Sequence, residues 1–156
     1  MRLARTASLL LATLLVIGCG GDGGTGPDGD DNTMTASVAG AAWNGSLAVQ
    51  ASRAGNVFSV SGTNGTYQIQ LTVPNVTATG TYNFGPGNAG IAQVVQVTAG
   101  FAAWTSALVG GTGTLTIATL TAEGATGTFT FNGIASPGTP ATGTRAVTNG
   151  AFEVSF

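Results

Sequence analysis

The sequence has no histidine, no lysine and a single cysteine among its 156 residues, so it lacks the side chains that most enzymes use. Ser-His-Asp and Cys-His catalytic groups, imidazole and thiolate metal sites and lysine Schiff bases all need those residues. All four aspartates precede residue 32, and the carboxylate side chains that follow are Glu123 and Glu153. We therefore expect no catalytic activity, no metal site and no cofactor.

The two glutamates could serve only one common enzyme class, a glycosidase with paired carboxylates. Glu123 stands in Thr-Ala-Glu-Gly-Ala, a composition typical of a hairpin tip. Glu153 alternates with Phe152 and Val154, which directs it outward from a strand. We expect both glutamates to be solvated surface residues, and an envelope hydrolase is the least favoured of three function hypotheses.

Positive charge is equally scarce, because Arg53 and Arg145 are the only basic residues after residue 5. Nucleic-acid binding needs clustered lysine and arginine to displace counterions, so we expect no nucleic-acid partner. Each arginine could hold a carboxylate or a sulfate bidentately. Each also lies beside a predicted turn, where a solvated arginine is common, and we favour that interpretation.

The N-terminal segment has the pattern of a secretory signal. Arg2 and Arg5 precede an apolar run over residues 7–17, which matches the 7–15 residues of a signal-peptide core and falls short of the roughly 17–25 residues that span a bilayer. The Gly-Gly-Asp-Gly-Gly sequence that follows Cys19 cannot continue a membrane helix. We expect export, with any membrane attachment coming from another source.

Val16-Ile17-Gly18-Cys19 resembles the lipobox of bacterial lipoproteins. The resemblance implies that Cys19 becomes the first mature residue, with a diacylglycerol on its sulfur and usually a further acyl chain on its amine, which together anchor a protein stably. Glycine rather than aspartate at position 20 favours, by the same resemblance, the outer membrane. The alternative is an ordinary signal peptide with an incidental cysteine, which would leave an unpaired thiol in an oxidising compartment.

Three regions follow from these patterns: a lipoprotein signal peptide over 1–18, a lipidated cysteine with an acidic, glycine-rich linker over 19–33, and a single β domain over 34–156. The linker offers no apolar side chain to bury, so we expect a flexible tether. Its thirteen residues from 20 to 32 have a root-mean-square reach of about 20 Å at roughly 5–6 Å × √n.

Alternation of apolar and polar residues predicts antiparallel strands throughout the domain, as in residues 67–73 and 152–156. The predicted strands are 34–43, 47–53, 56–61, 66–73, 79–84, 91–98, 100–106, 113–120, 125–133, 145–149 and 151–156. Asn-Gly occurs at 44–45, 64–65, 132–133 and 149–150, and we expect at least two of these pairs to join adjacent strands. The fold class is all-β, either an antiparallel β-sandwich or a closed β-barrel of about 8–11 short strands.

Several segments of the domain resemble those of small, uncharacterised bacterial lipoproteins that carry one all-β domain of unknown function. The shared features are Trp43 after a first strand and the segments 80–82, 113–117, 127–131 and 147–152. This resemblance implies an all-β fold and implies no activity.

Trp43 and Trp104 are the best candidates for ligand binding, because an exposed aromatic face can stack on a sugar ring. Large aromatic residues more often pack in cores, and we favour that role for both. The first function hypothesis is a non-catalytic binding or scaffolding module for an envelope protein or polysaccharide, attached to the membrane by its lipid. The second is a calycin-like barrel with a small apolar ligand inside. The oligomeric state is left open.

Overall fold

The computed structural model describes residues 32–98 and 100–156, which form eleven strands and no helix. The predicted signal peptide, Cys19 and all of the predicted linker except residues 32 and 33 lie outside the described residues. The strands are β1 (Thr33–Val38), β2 (Ala41–Asn44), β3 (Ala48–Ala54), β4 (Val57–Thr63), β5 (Tyr67–Val73), β6 (Gly80–Phe84), β7 (Ile91–Gln96), β8 (Ala102–Thr105), β9 (Thr112–Leu120), β10 (Gly124–Ala135) and β11 (Thr144–Ser155).

The strands form one strongly curled antiparallel sheet with the shape of a half-barrel, which confirms the all-β prediction. The main path through the sheet runs β2-β1-β11-β10-β8-β7-β5-β4-β3. The sheet divides at β10. One edge of β10 pairs with β11. The other edge pairs with β9 along most of its length and with β8 at the C-terminal end of β10. Strand β6 pairs with the far edge of β9. The sheet therefore has two branches that share the long strands β10 and β11.

Large apolar side chains fill the inner face of the curled sheet. On β4, Phe58 and Val60 are buried and alternate with partly exposed serines, as the period of a half-buried strand requires. The rings of Phe58 and Phe152 lie 5.6 Å apart between centroids and connect β4 with β11 across the core. The core extends from Met34 near the start of β1 to Val154 near the end of β11.

Threonine side chains cover the outer face of the β6-β9-β10 branch. Thr81 pairs with Thr116 across β6 and β9, and their hydroxyl oxygens lie 3.0 Å apart. Thr119 and Thr126 make the corresponding contact between β9 and β10 at 2.8 Å. Cross-strand hydroxyl pairs of this kind contribute to sheet stability. They also account for the alternation that predicted these strands.

The predicted first strand, 34–43, is wrong as one element, because a tight turn divides it into β1 and β2. Val38 pairs with Ala41, and the two residues between them have positive φ angles, 50° at Ala39 and 86° at Gly40. This geometry is usual for a two-residue hairpin loop, but alanine rarely adopts it. The amide of Ala39 donates a hydrogen bond to the carbonyl of Ala146 at 2.8 Å, a contact with β11 that local sequence does not encode.

The predicted strands 145–149 and 151–156 are instead one strand, β11. Asn149 has a φ of 52° and lies at a bulge, where the pairing of β10 with β11 shifts between Phe129 and Phe131. A residue with positive φ absorbs the extra position of a bulge without ending the strand. The Asn-Gly pair at 149–150 thus bends a strand and does not join two.

One of the four Asn-Gly pairs joins adjacent strands, so the expectation of at least two is wrong. Residues 132–133 lie inside β10, and residues 44–45 begin the connection from β2 to β3, which do not pair with each other in the described sheet. Asn64-Gly65 does lie at a hairpin, between β4 and β5. There the Asn64 side chain accepts hydrogen bonds from the amides of Thr66 and Tyr67, so its capping capacity determines the turn.

Asn32 connects the two sides of the half-barrel where the described chain begins. Its side-chain oxygen accepts a 2.7 Å hydrogen bond from the Ser155 amide at the end of β11. Its amide nitrogen lies 3.5 Å from the carbonyl oxygen of Val49 on β3. The chain therefore enters the domain beside the C-terminal end of β11. Residues 32–98 and 100–156 contain no helix with the length and apolarity needed to cross a membrane.

Candidate functional site

Both tryptophans are buried, Trp43 with 4% and Trp104 with 3% of its surface exposed. Their ring nitrogens donate to backbone carbonyls, Trp43 to Tyr67 at 3.2 Å and Trp104 to Thr142 at 3.1 Å. A buried indole needs such a partner for its N–H. Both rings therefore have the packing role that the sequence favoured, and neither ring presents an open face to solvent.

Trp104 also contacts the charged group of a residue two strands away. The guanidinium carbon of Arg145 on β11 lies 4.1 Å from the Trp104 ring centroid, within the range of a cation–π interaction. Gly133 on β10 lies between them, because it pairs with Arg145 and packs against the Trp104 backbone. With no side chain at position 133, the indole can reach across β10.

Tyr67 connects the two tryptophans. Its ring centroid lies 5.8 Å from the guanidinium carbon of Arg145, and its carbonyl accepts the hydrogen bond from Trp43. Tyr67 is the first residue of β5 and Arg145 the second of β11, so these side chains gather where the inner face of the half-barrel ends. We call Trp43, Tyr67, Trp104 and Arg145 the aromatic end.

A surface cleft of about 200 Å³ opens at the aromatic end. Trp43 and Tyr67 line it together with small and polar residues, namely Val38, Ala41, Ala42, Asn64 and Thr66. Apolar lining with a few polar groups is the composition expected of a small-ligand site. Of these two aromatic residues, the half-buried Tyr67 is more accessible to a ligand than the buried Trp43.

Arg145 has no negatively charged partner among the described residues. Glu153 lies eight residues further along the same strand, about 26 Å away at roughly 3.3 Å per residue. Glu123 is at the same distant end, where its carbonyl accepts a hydrogen bond from the Phe156 amide. The Nε atom of Arg145 is buried without a hydrogen-bond partner. The positive charge of Arg145 is thus stabilised by aromatic faces and not by a carboxylate.

Arg53, the other arginine of the domain, has different surroundings. Its two terminal nitrogens lie 3.5 Å from the carbonyl oxygens of Thr121 and Val76. These contacts join β3 to the hairpin between β9 and β10, close in sequence to Glu123. Both arginines were expected to be solvated, but both are half-buried and hold parts of the fold together.

A larger groove of about 450 Å³ lies on the outer face of β3, β4 and β5. Its polar lining consists of serine, glutamine and asparagine side chains, namely Asn32, Gln50, Ser52, Ser59, Ser61 and Gln70. It contains no aromatic ring and no charged group, so we assign the candidate site to the aromatic end. Within residues 32–98 and 100–156, no three histidine, cysteine, aspartate or glutamate residues come together in a group that could hold a metal ion.

The sequence identified both tryptophans and Arg145 as candidates but not their proximity, and it did not identify Tyr67 as a site residue. The signal for Tyr67 was its place in the inward-facing row of residues 67–73, at the first position of a strand. An inward-facing residue at a strand terminus lies at an end of a barrel-like fold. From that position in the sequence, Tyr67 could have been predicted to lie at an end of the fold.

A family model described as Domain of unknown function (DUF6252) matches residues 30–154. The chain belongs to this family. The match extends over nearly all the described strands. It agrees with the sequence-based expectation of a domain of unknown function. No curated protein and no solved structure matches the chain.

Proposed function

We propose that this protein is a lipoprotein of the bacterial cell envelope, anchored in the outer membrane by acyl chains on Cys19, and that its β domain binds an envelope polysaccharide at the aromatic end. The domain acts by binding and not by catalysis. The observation that carries the proposal is the position of the aromatic end relative to the point where the chain enters the domain.

The chain enters at Asn32, beside Ser155, whereas Arg145 lies ten residues earlier on the same strand. At roughly 3.3 Å per residue, the two ends of β11 are about 30 Å apart. A lipid on Cys19 would hold the Asn32 side of the domain near the membrane. The aromatic end lies at the end of β11 opposite this attachment point, so the anchor would leave it free to reach the polymers of the envelope.

The chemistry of the cleft supports a sugar ligand. The electron-rich face of an aromatic ring attracts the weakly positive C–H groups of a pyranose ring. The half-buried Tyr67 supplies such a surface, the buried Trp43 lies beside it in the wall of the cleft, and Thr66 and Asn64 supply polar groups. Binding of one or two sugar units at this site would leave the rest of a polysaccharide chain in solvent.

The filled core supports surface binding over the calycin-like alternative. A barrel that holds an apolar ligand needs small residues at interior positions. Here the inner face carries Phe58, Phe129, Phe131 and Phe152, each at most 4% exposed. An interior ligand would have to displace these rings, so a site at the open end of the half-barrel fits the packing better.

Cosedimentation of the detergent-solubilised mature protein with insoluble polysaccharide from its own cell envelope tests the binding proposal. We expect the wild-type protein to pellet with the polysaccharide and Tyr67→Ala to remain in the supernatant. Tyr82→Ala is the matched control, because Tyr82 is also half-buried but lies on β6, away from the cleft.

Unfolding curves of both variants would show whether either loses its fold. Equal pelleting of folded Tyr67→Ala and wild-type protein, or no pelleting of the wild-type protein, would contradict binding at the aromatic end.

A further inference from the structure

We infer that Arg145 is a binding site for a carboxylate, so that the polysaccharide at the aromatic end is an acidic one built from uronic acid units. This inference rests on the proposed function, because it names the chemical class of the ligand at the same site. Arg145 carries a positive charge that neither glutamate of the described residues neutralises.

Aromatic faces compensate for only part of the hydration that a partly buried positive charge loses, and a negative group or several hydrogen bonds compensate for the rest. Arg145 is half-buried, and both described glutamates lie at the opposite end of β11. Arg53 compensates differently, through two backbone carbonyls. Within residues 32–98 and 100–156, Arg145 has no such carbonyl partner, so its charge is the one that an external anion would neutralise.

The guanidinium is held in an orientation that suits a carboxylate. Trp104 covers the guanidinium at 4.1 Å, and the indole is itself fixed by its hydrogen bond to Thr142. A stacked guanidinium keeps its N–H groups free in its own plane, where they match the two oxygens of a carboxylate. Because Nε is buried, the terminal nitrogens are the donors for the ligand. Little side-chain freedom remains to be lost on binding.

The neighbouring Tyr67 indicates a sugar carboxylate rather than an acidic peptide. Its ring centroid lies 5.8 Å from the guanidinium carbon of Arg145, and Tyr67 is also one of the residues that line the cleft. A uronic acid carries its carboxylate directly on the pyranose ring, so one unit can stack against Tyr67 and meet Arg145 together. A phosphate polymer would need several clustered cations, and Arg145 is the single cation of the aromatic end.

The test compares hexagalacturonate with the same hexamer after methyl esterification of its carboxyl groups, using calorimetry on the detergent-solubilised mature protein. A charge-assisted pair predicts that the acid binds about tenfold or more tightly than the ester. Arg145→Gln should remove this difference, and Arg145→Lys should keep part of it. Arg53→Gln is the control and should leave it unchanged.

Equal affinity for the acid and the ester would overturn the carboxylate inference and leave the proposed function intact. Absence of binding to both hexamers overturns it as well, and the cosedimentation result then decides separately on the proposed function. Hexaglutamate binding as tightly as hexagalacturonate would mean that the ligand is an acidic peptide, which also contradicts the inference. Arg145→Lys, which retains the charge, keeps the test valid if Arg145→Gln does not fold.

Discussion

Gly133 lies directly beneath Trp104: a Cβ atom on Gly133 would come within 2.9 Å of the Trp104 Cβ and 3.0 Å of its carbonyl carbon. Both contacts are closer than side chains normally tolerate, and one is with backbone, which cannot swing aside. The missing side chain at position 133 is therefore what lets Trp104 cross β10 and stack on Arg145.

Gly133→Ala should destabilise the domain by about 1–3 kcal/mol, the usual cost of overpacking a close contact. It should also shift the fluorescence of Trp104, because the indole must move relative to the guanidinium. Urea unfolding and emission spectra measure the two effects. The control is Asn132→Ala on the preceding residue, which should change stability by less than about 0.5 kcal/mol. A Gly133→Ala protein with unchanged stability would contradict the packing described.

Ser106 is the one buried polar residue found among the described residues. Its hydroxyl accepts a 2.9 Å hydrogen bond from the Ala92 amide, and its own amide donates to the Ala92 carbonyl at 2.9 Å. Ser106→Ala would leave the Ala92 amide without this partner, so we expect a loss of about 1–3 kcal/mol in chemical denaturation. Ser52→Ala, at an exposed position on β3, should be nearly neutral. Equal effects of the two changes would refute the assignment.

Asn149 holds a left-handed conformation, with φ at 52°, at the bulge of β11. A β-branched residue is strained in this region, so Asn149→Val should cost about 1–2 kcal/mol. Asn149→Gly is the matched comparison and should retain or slightly raise stability, since glycine adopts this conformation freely. The midpoints of thermal unfolding of the three proteins test this order. A valine variant as stable as the glycine variant would contradict the left-handed conformation at position 149.

Local patterns in the sequence predicted most of the strands, because a half-buried strand alternates apolar and polar side chains wherever it lies. They failed where tertiary contacts override local preference. Ala39 takes a left-handed turn that its residue type disfavours, held by its hydrogen bond to Ala146. Asparagine favours turns, yet Asn149 lies inside a strand. Both β1 and β10 pair with residues of β11 before and after Asn149, so the strand continues through it.

The candidate site depends on topology more than on any motif. Tyr67, Trp104 and Arg145 come from β5, β8 and β11. Their proximity follows from the pairing of β8 with β10 and from the curl of the sheet, neither of which leaves a local signal. Residue types alone could suggest which side chains bind ligands. They could not show that Arg145 lies on an indole and far from both glutamates.

The central claim, a β domain tethered to the envelope by a lipid on Cys19, is tested most directly by the intact mass of the protein extracted from its native membrane. We predict a chain that begins at Cys19 and carries the added mass of a diacylglycerol, with or without a further acyl chain. A chain that begins at any other residue, or one that begins at Cys19 with an unmodified thiol, would contradict the account.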